Sequence, residues 1–121
     1  MHGLGELEAA VMDVLWRTDE PMKVRDVLEQ LDTGKQLAYT TVMTVLDNLH
    51  RKEWVERELH GKAYYYEASF SREEAAAQSL RDVLEASGDP EAVLMHFIAS
   101  GSDKETDLLR SALRKKRVRR R

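Results

Sequence analysis

The fold is decided by the stretch LAYTTVMTVLDNLHRK, residues 37–52. If this stretch is helical, its apolar residues fall at i, i+4, i+7, i+8 and i+11, which is typical of a helix packed against a core on one side. The stripe consists of Ala38, Val42, Val45, Leu46 and Leu49. The spacing therefore predicts a helix with one buried face and one face turned outward.

The outward face of this helix is short-chained and mostly polar. Its members are Thr40, Met43, Thr44, Asp47 and Arg51, where an ordinary solvated face carries long charged residues. Threonine hydroxyls bond base edges or phosphates, and threonine methyls contact the thymine methyl, so this face suits a helix in a DNA major groove. The plainer interpretation is that the threonines merely fill the exposed side of an amphipathic helix.

Two further helices are predicted before this one. The first spans residues 5–18 and is broken by Asp-Glu-Pro at residues 19–21, which leaves room for a short extended piece at Met22. The second helix has apolar residues at a spacing of three and four, and residues 32–35 form a turn after it. Its apolar residues are Val24, Val27, Leu28 and Leu31. Three helices with a compact turn before the third form a helix-turn-helix pattern.

After the third helix the hydrophobic period changes from helical to alternating. Residues 54–59 alternate, residues 60–62 (His-Gly-Lys) form a tip, and residues 63–68 are rich in tyrosine. This pattern predicts a β-hairpin, which converts the helix-turn-helix into a winged helix. Alternation places Tyr65 on the opposite face of the hairpin from the tyrosines on either side of it.

Residues 71–121 contain three more predicted helices, each with a start signal. Ser71 and Ser102 each precede a glutamate by three residues, and Asp89 precedes Pro90. About fifty residues rarely bury three apolar stripes without help, so these stripes are predicted to pair with a second copy of the chain. The predicted dimerisation residues are Leu80, Val83, Leu84, Val93, Leu94, Phe97, Ile98, Leu108, Leu109 and Leu113.

The sequence thus predicts a mainly α protein with a small β-hairpin wing. Residues 1–70 are predicted to form a winged-helix DNA-binding domain, and residues 71–121 a helical dimerisation domain with a basic tail. The net charge is −3, but seven of the last eight residues are basic. A chain of this balance binds DNA weakly as a monomer, which favours a dimer. The tail, residues 114–121, is interpreted as a disordered solvated end, with an accessory phosphate-binding segment as the alternative.

Composition excludes several classes of protein. The 121 residues include no cysteine, so disulfides and thiolate metal sites are excluded, and the four histidines lack metal-ligand spacing. No nucleophile elbow, phosphate-binding glycine loop or metal motif is present, so neither an enzyme nor a cofactor is predicted. The N-terminus lacks the features of a secretory signal, and no apolar run reaches membrane-spanning length. We therefore expect a cytoplasmic protein.

The candidate DNA contacts follow from the outward face and the hairpin tip. They are Tyr39, Thr40, Thr41, Met43, Thr44, Asn48, Arg51 and Lys62. Asn48 is suited to bidentate pairing with adenine and Arg51 to a phosphate. Asp47 either accepts from cytosine N4 or repels phosphate, and Tyr39 either packs or contacts phosphate through its hydroxyl. Arg57 either contacts the DNA or forms a salt bridge with a neighbouring acidic residue.

Four segments together give the chain a resemblance to a known family. LGELEAAVMDVLW near the start, AYTTVMTVLDNLHRKEWV, GKAYYYEA and AVLMHFIAS resemble the penicillinase-repressor family of bacterial transcription regulators. The resemblance implies a homodimeric repressor whose winged helices bind an inverted-repeat DNA operator. It also implies that the C-terminal helices interlock as the dimer interface.

The resemblance further implies a means of release from DNA. In this family a membrane-bound sensor protease cuts an Asn-Phe bond in the middle dimerisation helix, and the matching bond here is His96–Phe97, which keeps the Phe and not the Asn. Two alternatives remain at this point. One is a ligand-sensing winged-helix regulator, and the other is a winged helix used as a protein-interaction module without DNA.

Overall fold

The computed structural model of the chain describes residues 3–32 and 36–119, and it is mainly α with one hairpin, as predicted. The predicted turn at residues 32–35 lies mostly outside the described residues. The elements in chain order are α1 (Glu6–Trp16), α2 (Val24–Gln30), α3 (Tyr39–Arg51), β1 (Val55–His60), β2 (Ala63–Ala68), α4 (Arg72–Ala86), α5 (Pro90–Ser100) and α6 (Asp103–Arg119). Two compact units cover residues 1–79 and 80–121.

The core of the first unit is built around the aliphatic side of α3. Val42, Leu46 and Leu49 are completely buried there, and Val45 is nearly so. They pack in one cluster with apolar residues of α1, α2 and the hairpin, of which the largest buried ones are Val11, Met12, Val14, Val27 and Tyr66. The predicted stripe is therefore confirmed except for Ala38, which is exposed. Its extended backbone makes it the N-cap of α3 instead of a buried helical residue.

The end of α3 fixes where the wing begins. The backbone N–H of Glu53 donates to the His50 carbonyl, and that of Trp54 donates to the Leu49 carbonyl. This is the Schellman pattern of helix termination, in which the residue after the C-cap takes a left-handed conformation. Glu53 does so at φ 66°, which turns the chain sharply out of α3 and into β1.

The wing is an antiparallel hairpin with a two-residue tip of Gly61 and Lys62. Gly61 has φ 65°, a value that suits glycine at this turn position. Met22 and Tyr66 exchange two backbone hydrogen bonds of 2.8 Å, so the extended piece predicted at Met22 forms a single antiparallel β-bridge with β2. Tyr64 and Tyr66 lie on one face while Tyr65 stacks edgewise on a histidine of the other, as alternation predicts.

The start of α4 is attached to the first unit. The indole Nε1 of Trp16 donates to the Phe70 carbonyl at 3.0 Å, and Arg72 pairs with Asp13 at 2.8 Å. The compact units therefore divide within α4, after Ser79, whereas the sequence placed the boundary after residue 70. Residues 72–79 pack with the winged helix because these two contacts hold the first turns of α4 against α1.

Helices α4, α5 and α6 begin as predicted and expose their apolar stripes. Ser71 and Ser102 each form a capping box with the glutamate three residues later, and Asp89 accepts from the Ala92 N–H at 3.1 Å. α5 has no buried residue within the chain. The interpretation of residues 114–121 as disordered is wrong for 114–119, which continue α6. Lysine and arginine are good helix formers, and cations at a helix C-terminus favour the helix dipole.

The packing of α3 generates a stability prediction. We expect Leu46→Ala to lower the free energy of unfolding by about 2–5 kcal/mol, because it removes a completely buried side chain and leaves a cavity. Leu59→Ala is the matched control; Leu59 is 56% exposed, and its loss should cost less than about 0.5 kcal/mol. Urea unfolding followed by circular dichroism measures both values. Similar costs for the two variants would contradict this description of the core.

Candidate nucleic-acid interface

The eight predicted DNA-contacting residues all lie at the surface of the first unit. Seven belong to α3, and the eighth, Lys62, is at the exposed wing tip. Tyr39, Thr40, Thr41, Met43, Thr44 and Arg51 are exposed, and Asn48 is half-buried. The hydroxyl-bearing side of α3 thus faces outward because its aliphatic side is in the core. The role of these residues in DNA contact stays a prediction.

Two side-chain contacts order the outward face. The Thr44 hydroxyl donates to the Thr40 carbonyl at 2.9 Å, one helical turn earlier. The Arg51 guanidinium donates to the Asn48 side-chain oxygen. This oxygen is also the atom that would accept from adenine N6 in a bidentate contact, and it has a second lone pair for that bond.

Arg57 on β1 joins the wing to α3. Its Nη1 lies 2.8 Å from the Asp47 carboxylate, and its guanidinium lies 4.2 Å from the centre of the Tyr64 ring. The pKa of Arg57 is raised by a hydrogen bond with the Tyr66 side chain and then by the one with Asp47, while burial acts in the opposite direction. The pKa of Tyr66 is itself raised by burial, with Arg57 acting against it. Of the two contacts considered for Arg57, with DNA or with a neighbouring acid, the structure has the salt bridge. The positive charge of Arg57 compensates the negative charge of Asp47.

A cleft of about 410 Å³ lies between α2, α3 and the wing. Its wall carries three cationic residues, Lys23, Arg25 and Lys62, and its described lining contains one carboxylate, the paired Asp47. Tyr39 lies at the rim, with the Arg25 guanidinium 5.8 Å from its ring centre. The cleft is therefore positively charged and open to solvent. This arrangement suits an anionic group such as a phosphate.

Sequence reasoning missed Lys23 and Arg25 as members of this surface. They lie near the start of α2, in a segment whose acidic residues outnumber its basic ones. The fold brings them beside Lys62, almost forty residues further along the chain. One feature of the sequence could have indicated this. Both residues lie at the start of α2, directly after the extended piece at Met22 that pairs with the wing.

The C-terminal end of α3 is tied to the start of α1. The Lys52 ammonium lies 2.8 and 3.0 Å from the two carboxylate oxygens of Glu8. The hydrogen bond from Lys52 lowers the pKa of Glu8, and the one from the backbone N–H of Gly5 adds to this effect. The contact fixes the end of α3 in place, and it also uses the charge of Lys52, which is thus less available to an external anion.

No helix within the described residues is both long and apolar enough to cross a membrane. Nor does any group of histidine and carboxylate side chains there have the arrangement of a metal site.

Comparison with known proteins identifies the family. A sequence profile of the penicillinase repressor family matches residues 4–115. The chain belongs to the penicillinase repressor family. It is 44% identical over 113 residues to the transcriptional regulator BlaI of Mycobacterium tuberculosis, a match that covers 91% of this chain and 82% of that protein. Members of this family are transcriptional regulators and not enzymes, which confirms both the predicted resemblance and the predicted class of a transcriptional repressor.

Solved structures support the same fold. The chain superposes on the solution structure of the DNA-binding domain of the repressor BlaI with a TM-score of 0.51 at 20% identity. The match covers 58% of this chain and 84% of that domain. MepR, a transcription regulator of the Staphylococcus aureus multidrug efflux pump MepA, has a TM-score of 0.51 at 13% identity, with 98% of this chain and 82% of its own covered. At identities this low, the likeness establishes only the fold of the chain, which is a winged helix.

The contact between Lys52 and Glu8 generates a prediction of pH dependence. We expect Lys52→Met to lower the free energy of unfolding at pH 7 by at most about 1 kcal/mol, since Lys52 is partly exposed. The pKa of Glu8 is lower in the folded state than in the unfolded state. The stabilisation is therefore complete above the unfolded value and is lost as the pH falls through the folded one.

Urea unfolding of both proteins between pH 7 and pH 3 measures this difference. The exposed Lys104→Met, in the first turn of α6, is the matched control and should show no such trend. If the difference in free energy of unfolding between the wild type and Lys52→Met stayed constant over the whole pH range, the coupling to Glu8 would be disproved.

Proposed function

We propose that this protein is a homodimeric transcriptional repressor that binds an inverted-repeat DNA operator. The observation that carries the proposal is the outward, hydroxyl-bearing side of α3 next to the cationic cleft at the wing. In this proposal α3 enters the major groove, where Thr40 and Thr44 meet base edges or thymine methyls. Lys23, Arg25 and Lys62 then lie along the flanking phosphates. MepR, which shares the fold, has been solved bound to an oligodeoxyribonucleotide.

Charge compensation inside the interface supports this orientation. A carboxylate on a groove-facing helix repels the phosphate backbone unless it is paired or meets a base donor. Asp47 is paired with Arg57 of the wing, so the protein approaches DNA without that repulsion. The same pair supports a role of Asp47 in positioning the wing in preference to reading of a cytosine.

Two copies are required because one copy offers few cations to DNA. In the proposed dimer two α3 helices enter successive major grooves about 34–36 Å apart on one face of the duplex. Linking two weak half-site binders raises the effective concentration of the second one. The inverted repeat follows from the two-fold symmetry of the dimer.

The apolar stripes of α4, α5 and α6 are the proposed dimer interface. Nine of the ten predicted residues are 37% to 64% exposed within the single chain, and Leu84 is half-buried. So many large apolar side chains exposed together mark an interaction site in a protein that folds alone. A second copy presents the same three stripes, which makes the surface self-complementary.

Release from DNA is proposed to follow any event that cuts or loosens residues 71–113. The His96–Phe97 bond lies in the middle of α5, and Phe97 is half-exposed in the single chain. Cleavage there by a membrane-bound sensor protease would divide one of the three interface helices. Loss of the dimer then lowers affinity for the operator, because each half-site alone is bound weakly.

The function is tested by selection from a randomised duplex library, followed by mobility shifts with the promoter of the chain's own gene at two salt concentrations. We expect wild type to select an inverted repeat. Asn48→Ala should relax preference at one position of each half-site, whereas Arg51→Ala should weaken binding to all sequences and flatten the salt dependence. Selection of no sequence by wild type would refute the proposal and favour a protein-interaction module. An unchanged preference in Asn48→Ala would refute the role of that residue alone.

The dimer interface is tested by replacing two residues of α5. We expect the Leu94→Gln, Ile98→Gln variant to raise the dissociation constant of the dimer by at least about 100-fold, since each buried side chain of this kind contributes about 1.5–3 kcal/mol. Sedimentation equilibrium measures the constant, and Leu59→Gln on the wing is the control for an exposed apolar residue outside the stripes. A variant that dimerises as tightly as wild type would exclude α5 from the interface.

A further inference from the structure

Charge is segregated along α6. The first turns carry Asp103, Glu105 and Asp107, whereas residues 114–117 are all basic and all exposed. Because the helix continues through Arg119, the backbone positions of these cationic residues are ordered. A disordered tail would spread them over many arrangements.

Three arginines of α6 form a row on one side of the helix. Arg110, Arg114 and Arg117 are spaced i, i+4 and i+7, which places them on a common face over about 10 Å of helix length. Arg110 lies 3.5 Å from Asp107, one turn earlier. Within the described part of the chain, Arg114 and Arg117 form no ion pair.

The arginine row lies away from the apolar stripe of the same helix. At about 100° per residue, the centre of the stripe at residues 108–113 is about 130° around the helix from the row. Pairing of the stripes between two copies therefore leaves the row in solvent. A dimer carries two such rows.

We propose that the arginine row is a second, sequence-independent contact with the phosphate backbone of duplex DNA. This inference rests on the proposed function, because it adds a contact to a protein already brought to DNA by α3. Guanidinium groups match phosphate oxygens through paired N–H donors, and the helix holds the backbone positions of the three arginines on one face. DNA is favoured over an anionic membrane because the outward side of α3 and the cationic cleft of the same chain already suit a duplex.

The arginine row adds positive charge to a chain that is acidic overall. The net charge is −3, and in the first unit Lys52 and Arg57 are already paired with carboxylates. Arg114 and Arg117 of two copies add four cations to the dimer. Each cation that neutralises a phosphate steepens the dependence of log affinity on log salt by about 0.9.

The test compares full-length Arg114→Gln, Arg117→Gln with a control of equal charge, Arg81→Gln, Lys104→Gln. Affinities for a selected operator duplex and for a random duplex of equal length are measured at several salt concentrations. We expect the row variant to reduce the salt slope by up to about 3.6 per dimer on both duplexes and to leave the ratio of the two affinities unchanged. The control should change the slope much less. Arg114→Lys, Arg117→Lys should retain most of the slope because the charge remains.

The outcomes separate this inference from the proposed function. If wild type prefers the operator but the row variant and the control have the same salt slopes, the inference fails and the proposed function stands. If wild type has no sequence preference but the row variant still flattens the slope, the row binds DNA and the proposed function fails. Sedimentation with vesicles of anionic lipid provides the third arm. Binding to vesicles that depends on the row, with DNA slopes equal to those of the control, would overturn the inference in favour of a membrane contact.

Discussion

Burial of one side of α3 is the constraint on which the rest of the first unit depends. Val42, Leu46 and Leu49 lose all contact with water against α1, α2 and the hairpin. A helix held by one face has no freedom to rotate about its axis, so the threonines on the other face must point outward. The Schellman end at Glu53 then starts β1 at a fixed angle. Core packing, helix termination and wing position are thus consequences of a single buried stripe.

Local arrangement of charge matters more here than net charge. The chain is acidic overall, yet the surface formed by α3, the start of α2 and the wing tip is cationic. This is so because Lys23, Arg25 and Lys62 line the cleft and its one carboxylate is paired with Arg57. The Glu8 carboxylate of α1 is likewise paired with Lys52. The pairs also connect elements that are distant in sequence. They therefore combine a structural role with an electrostatic one.

The sequence was sufficient for features that depend on local patterning. Hydrophobic period predicted α3 and the hairpin, and cap residues predicted the starts of α4, α5 and α6. The sequence was insufficient where packing between distant segments determines the position of a residue. Ala38 fits the helical period but lies at the cap, and Lys23 and Arg25 meet Lys62 only after the helices pack. The basic run at the C-terminus was misjudged, because composition indicates disorder whereas helix propensity and the helix dipole favour continuation of α6.

The hydrogen bond from Thr44 to the Thr40 carbonyl has a wider consequence. β-Branched side chains have few accessible rotamers, and this contact restricts one of them further, so the threonine part of the outer surface of α3 is largely preorganised. Little conformational entropy is then lost when it meets a rigid partner. The exposed side chains of this face do not support the interior, so single substitutions there should not unfold the domain. Variation at these positions therefore alters the chemistry of the surface while the scaffold stays the same.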